Sequence, residues 1–67
     1  MSKVVKVIEV LAQSEKSWED AAKKAVKAAS KSIDNIKSIY IVDMNAKVKG
    51  DRIINYRINA KISFVVE

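Results

Sequence analysis

The sequence predicts an α+β fold in the order β-α-β-β, with a three-stranded antiparallel sheet wrapped around one helix. Three observations predict it: a run rich in valine and isoleucine near the N-terminus, a stripe of apolar residues at helical spacing in the middle, and strict apolar/polar alternation in the C-terminal half, broken once by the only glycine. The 67 residues make a single domain that spans 1–67.

The first strand is predicted over Lys3–Ala12, which has the sequence KVVKVIEVLA. Its β-branched residues and the absence of breakers favour a strand over a short helix. Both of its faces carry apolar side chains: Val5, Val7 and Leu11 on one, Val4, Ile8 and Val10 on the other. Because one helix covers only one face, the second face is expected to be buried by another subunit.

The helix is predicted to begin at Ser17, because Ser17-Trp18-Glu19-Asp20 has the spacing of a capping box. An apolar stripe then continues at spacings of three and four through Trp18, Ala22, Ala25, Ala29, Ile33 and Ile36. The stripe makes Trp18 a core residue, and its alanines let the helix lie close to a sheet. The lysines at 23, 24, 27 and 31 form the solvated face of the helix.

A long hairpin is predicted for the rest of the chain, with a turn at Lys49-Gly50-Asp51-Arg52. Alternation places Tyr40 and Tyr56 on the apolar faces of the two strands, and Ile39 and Ile41 on the opposite face. The last strand would extend roughly 50 Å. This length predicts that it curls around the helix and that part of it contacts another subunit.

The second face of the hairpin is polar and suits a subunit contact or the lining of a cavity. Arg57 is its most informative residue, since a guanidinium binds a carboxylate or phosphate through two parallel hydrogen bonds. The alternative is an ion pair between subunits, with Glu9 or Glu67 as its partner. Four oxygen-bearing residues of the kind that calcium prefers, Asp34, Asp43, Asn45 and Asp51, are scattered, so a calcium site would have to be assembled across subunits.

Composition excludes several classes of function. Without cysteine or histidine there are no disulfides, no soft metal ligands and no recognisable nucleophile motif, so no enzyme is expected. The net charge of +5 suits anionic partners. Nucleic acid is disfavoured because Glu19 and Asp20 dilute the lysines and no aromatic residues alternate with them. No apolar stretch approaches a membrane span and no signal peptide is recognisable, which predicts a cytoplasmic protein.

The sequence resembles the dodecins. The resemblance covers nearly the whole chain and rests on VKVIEV from Val5, SEKSWEDAA from Ser14, IDNI from Ile33, and Tyr56-Arg57-Ile58 running into Ile62-Ser63-Phe64. It implies a hollow shell of twelve identical subunits. It also implies, for most members, flavins bound in pairs between tryptophans of neighbouring subunits, with a third-strand glutamine at the polar edge of the flavin ring.

Both family flavin-site positions are substituted in this chain. When the family's site is carried over residue by residue, the position of the stacking tryptophan is Ser38 and the position of the glutamine is Arg57. Trp18 lies at the start of the helix and cannot replace the stacking tryptophan. The Ser17-Trp18-Glu19 helix entry and the Tyr56-Arg57-Ile58 segment of the third strand resemble a divergent branch of the family that lacks the flavin sandwich and is associated with calcium. This implies a homododecameric shell that binds, stores or buffers a small ligand or ion, with flavin binding weak or absent. The alternatives are flavin storage, as in typical dodecins, and a purely structural or interaction protein whose basic surface binds anions.

Overall fold

The computed structural model describes residues 3–66 and has the predicted element order. Strand β1 spans Val4–Ser14, helix α1 Trp18–Ala29, strand β2 Ile36–Lys49 and strand β3 Arg52–Val66. The sheet order is β1-β3-β2, with β3 antiparallel to both neighbours. Strands β1 and β2 are therefore both edge strands, each with one side unpaired.

The core lies between α1 and the β1–β3 half of the sheet. Ile58, Ala60 and Ile62 of β3 are buried, as are Ala21 and Ala25 of α1, and Ala21 packs against Ile58 and Ala60. The alanines allow the close approach of helix and sheet that the sequence predicts. The result is a small core of three alanines and two isoleucines, which agrees with the modest stability expected of a single subunit of this size.

The helix ends at Ala29, so the predicted continuation through Ile33 and Ile36 is wrong. Ser30 caps the helix and its hydroxyl donates to the Lys27 carbonyl at 2.7 Å. Asn35 then adopts a φ of 61°, a left-handed conformation that an α-helix does not contain but that asparagine tolerates. Ile36 is consequently the first residue of β2 rather than the last of the helical stripe.

The alternation of β2 is broken by a bulge, and the predicted face of Tyr40 is wrong. The register shifts between Ile41 and Asp43. Before the bulge, Ile41 lies opposite Ala60 on the helix side of the sheet, whereas Tyr40 lies opposite Lys61 on the other side. The extra residue reverses the pleat, because side chains on a strand have a period of two. Apolar residues therefore face α1 on both sides of the bulge.

The hairpin turns at Gly50 and Asp51, as predicted, and Gly50 has a φ of 65°. The principal extents of the chain are 54 × 20 × 13 Å. A 12-residue helix covers only about 18 Å of that length. The predicted curling therefore does not shorten the hairpin, whose turn projects beyond the helix.

The chain exposes more surface than a compact monomer of its size. Its accessible area is 5222 Å², against about 4,250 Å² expected from its mass. The radius of gyration is 13.9 Å, against about 11 Å expected. The predicted second apolar face of β1 is open, with Val5 56%, Val7 52% and Leu11 81% exposed. Within residues 3–66 there is no helix long and apolar enough to cross a membrane.

Candidate functional site

A cleft of about 470 Å³ lies on the sheet face turned away from α1. Its lining includes Arg57, the most informative residue of this face in the sequence. We call it the Arg57 cleft; its lining comes from all three strands and comprises Leu11, Ala12, Gln13, Asn45, Arg57, Ile58 and Asn59. The register explains this grouping, since Gln13 and Asn45 lie directly opposite Arg57 on its two sides.

The guanidinium of Arg57 is held by Asn45. Its Nε donates to Asn45 Oδ1 at 2.9 Å. Among residues 3–66 no acidic group lies within ion-pair distance of Arg57. Glu9 is opposite Lys61, four residues further along β3 and so roughly 14 Å away. The ion pair with Glu9 would therefore need a second subunit, and Glu67 lies outside the described residues.

Asn45 is in turn anchored by Trp18. The indole Nε1 donates to the Asn45 backbone carbonyl at 2.9 Å. The Trp18 ring packs edge-on against Tyr56, with centroids 4.9 Å apart and an interplanar angle of 79°. These contacts confirm Trp18 as a residue packed against the core. They also connect the first turn of α1 to the side chain that orients Arg57.

The helix start is fixed to the end of β1 by a second set of hydrogen bonds. The Ser17 hydroxyl accepts from the Asp20 amide at 2.9 Å, as the capping box predicts. The Asp20 carboxylate turns instead to Ser14, whose hydroxyl donates to it at 2.6 Å. This hydrogen bond is the main reason that the pKa of Asp20 lies below its usual 3.8, with Lys24 and Lys16 adding to the effect and partial desolvation opposing it.

Two asparagines flank Arg57 on β3 and leave acceptor atoms unpaired. Asn55 Nδ2 donates to Gln13 Oε1 at 3.0 Å. The Oδ1 atoms of Asn55 and Asn59 are buried and have no hydrogen-bond partner among residues 3–66. An unsatisfied buried acceptor costs about 1–3 kcal/mol. A single chain, over residues 3–66, therefore leaves two side-chain acceptors beside the cleft without hydrogen-bond donors.

Ser38 lies on the same sheet face as Arg57 but not in the Arg57 cleft. It is opposite Ser63, and the two hydroxyls share a hydrogen bond. Ser63 is six residues from Arg57 along β3, so the two predicted site positions are roughly 20 Å apart within one chain. A single subunit does not bring them together.

The predicted calcium-type ligands are also separated. Asp43 and Asn45 share the polar face, Asp34 precedes β2, and Asp51 lies in the hairpin turn. In the described part of the chain, no group of three or more acidic, histidine or cysteine side chains is arranged to hold a metal ion.

The hydrogen bond from Arg57 to Asn45 was not predictable from the residues alone. Alternation places both residues on the polar face, but their pairing depends on the register of β2 against β3, which includes the bulge after Ile41. A signal for the bulge is nevertheless present: the apolar residues Ile41 and Met44 are three apart where strict alternation requires an even spacing.

Comparisons with known proteins place this geometry in a family. The sequence model of the family Dodecin matches residues 4–67. Calcium dodecin from Mycobacterium tuberculosis is 38% identical over 61 residues, which cover 91% of this chain and 86% of that protein.

Solved structures agree with this assignment. A crystal structure of the M. tuberculosis calcium dodecin, described as a calcium-chelating antigen with a novel calcium-binding site, has a TM-score of 0.81 at 35% identity, covering 96% of this chain and 91% of that one. The fold is also that of an arginine-to-alanine mutant of the T. thermophilus dodecin, with a TM-score of 0.93 at 21% identity and 98% of each chain covered. Since the family model matches residues 4–67 and calcium dodecin is 38% identical over most of both chains, the chain belongs to the dodecin family.

Proposed function

We propose that twelve copies of this chain form a hollow cytoplasmic shell that binds, stores or buffers a small ligand or ion, and that flavin binding is weak or absent. The observation that carries the proposal is the Arg57 cleft, a recess on the polar sheet face of a dodecin subunit. The proposal includes no catalytic step.

The exposed surface of the single chain supports assembly. Its accessible area exceeds the expectation for a compact monomer by about 1,000 Å². Among residues 3–66, twelve large apolar side chains are exposed, and they lie mainly on the two edge strands and near the hairpin turn: Val4, Val5, Val7, Leu11, Tyr40, Ile41, Val42, Met44, Val48, Ile53, Ile54 and Val66. Unpaired strand edges with exposed apolar side chains associate unless they are covered. Neighbouring subunits supply that cover.

Ion binding is supported by the relationship to calcium dodecin. Because residues 3–66 of one chain hold no metal-type cluster, the proposed calcium site combines oxygen ligands from more than one subunit. Asp43 is an acidic residue on the same sheet face as Asn45, two residues before it on β2. Calorimetric titration of the intact oligomer with Ca²⁺ tests this arm. We expect the variant Asp43→Asn to weaken binding and Glu19→Gln, on the exposed face of α1, to leave it unchanged.

Weak flavin binding follows from the two substituted positions. Ser38 has no ring to stack on a flavin, and stacking of this kind contributes roughly 1–3 kcal/mol per ring. Its hydroxyl is also already bonded to Ser63. Arg57 can only donate hydrogen bonds, whereas the glutamine of typical dodecins also offers an amide oxygen as an acceptor. A flavin N–H group that would donate to that oxygen therefore has no acceptor at Arg57.

Titration of riboflavin fluorescence tests this part of the proposal. The unmodified protein is expected to quench weakly or not at all, whereas the double variant Ser38→Trp with Arg57→Gln should bind more tightly than either single variant. Quenching at sub-micromolar protein concentration by the unmodified protein contradicts the proposal and supports flavin storage. An intact oligomer that binds neither Ca²⁺ nor any small ligand supports a purely structural role.

A further inference from the structure

We propose that the Arg57 cleft binds the oxyanion group of a small organic anion. This inference deepens the proposed function and rests on it, since it names the chemical class of the stored ligand. A carboxylate and a phosphate present the same pair of oxygens to a guanidinium, so the shared chemistry is the oxyanion.

One hydrogen bond orients the guanidinium of Arg57, while its two terminal nitrogens remain available to a ligand. Arginine has five N–H donors in a planar fork. The Nε–H of Arg57 is taken by Asn45 Oδ1 at 2.9 Å, which fixes the plane of the group. The two terminal nitrogens have no hydrogen-bond partner among residues 3–66. They form the edge that binds an oxyanion through two parallel bonds.

The surroundings of Arg57 suit an organic anion rather than a metal ion. A fixed positive charge in the cleft repels a second cation. The side chains of Gln13 and Asn59 add uncharged polar groups to the lining of the cleft. The volume of about 470 Å³ falls in the range of small-molecule sites. The net charge of +5 per chain further favours an anionic ligand.

Matched pairs of probes test the inference on the intact oligomer. Benzoate is compared with benzamide, and phenyl phosphate with phenol, by isothermal titration calorimetry. We expect at least one anion to bind about tenfold or more tightly than its neutral partner, because hydrogen bonds to charged groups are the stronger ones. The carboxylate and phosphate arms show which oxyanion is preferred. Trp18, the only tryptophan, gives a second signal because its indole is bonded to Asn45.

Two variants act on the guanidinium and one matched variant does not. Arg57→Gln should remove the preference for the anion. Asn45→Asp keeps the shape of the side chain but puts a carboxylate against Arg57, and should lower anion affinity about tenfold by neutralising it. Arg52→Gln removes the same charge at the exposed hairpin end of β3 and should leave the preference intact.

The native mass of each variant separates failure of this inference from failure of the proposed function. An intact oligomer that binds neither benzoate nor phenyl phosphate more tightly than its neutral partner overturns the inference and leaves the shell standing. Dissociation of the oligomer by Arg57→Gln also overturns it, since the guanidinium then serves an ion pair between subunits. A monomeric unmodified protein contradicts the proposed function itself.

Discussion

Removing apolar area from the open face of β1 should weaken assembly while leaving the subunit fold intact. Val5 and Val7 are 56% and 52% exposed in the single chain. Each Val→Ala change deletes two carbons, roughly 1.6 kcal/mol if their whole surface is buried. The part of this free energy that belongs to the exposed surface, which only a neighbouring subunit can bury, is then about 0.9 kcal/mol for Val5 and about 0.8 kcal/mol for Val7. The double variant Val5→Ala with Val7→Ala should lose about 1.7 kcal/mol per subunit, or roughly 16-fold in subunit affinity.

Sedimentation velocity across a dilution series measures this loss, and circular dichroism checks the subunit fold. The double variant Val5→Thr with Val7→Thr keeps the β-branched shape, so it separates lost apolar area from lost strand propensity; it should also weaken assembly. Lys27→Ala, on the solvated face of α1, is the control and should dissociate like the unmodified protein. If both valine variants dissociate at the same concentration as the control, this face is not covered by another subunit and the reasoning is refuted.

Three further predictions concern the subunit itself. Ser17→Ala removes the N-cap and should lower the free energy of unfolding by about 1 kcal/mol and the melting temperature by roughly 4–8 °C, whereas Ser30→Ala should change it by less; equal losses in calorimetry would contradict the capping role. Folding lowers the pKa of the Asp20 carboxyl group, so the unfolded chain binds a proton at Asp20 more readily than the folded chain does. The free energy of unfolding should therefore fall as the pH drops from about 3.8 through the lowered pKa. Ser14→Ala should make this fall less steep in acid titrations followed by circular dichroism, and an unchanged slope would contradict the role of the Ser14 hydrogen bond. Gly50→Ala should lower the free energy of unfolding in urea by about 1 kcal/mol, because Gly50 has a φ of 65° that disfavours a residue with a side chain. Apart from Gly50 and its two chain neighbours, no atom of residues 3–66 lies within 4 Å of the added methyl group, so the backbone conformation alone causes the loss. An unchanged free energy of unfolding would mean that the turn adopts another conformation.

Local chemistry was sufficient to predict most of the fold. Ser17 marks the start of the helix, Gly50 marks the hairpin turn, and the change of period between the middle and the end of the chain separates helix from strand. Each of these signals acts within a few residues. The features that failed depend on competition between neighbours: the apolar residues at 33 and 36 fit a helix by spacing, but Asn35 in a left-handed conformation ends that option.

The candidate site was predicted only in part, because its contacts depend on register. The sequence identifies Arg57 as a polar-face residue and places Asn45 on the same face. It does not show that Asn45 lies directly opposite Arg57, nor that Trp18 reaches the Asn45 carbonyl from the helix. Both contacts follow from the bulge after Ile41, which sets how far β2 is displaced along β3.

The native mass of the freshly purified protein, measured together with its visible absorbance, tests the central claim most directly. We predict a colourless particle of twelve subunits, about 90 kDa from a subunit mass of 7.5 kDa. A well-folded 7.5 kDa monomer at micromolar concentration would contradict the shell, and a yellow dodecamer that carries flavin would contradict the altered ligand preference.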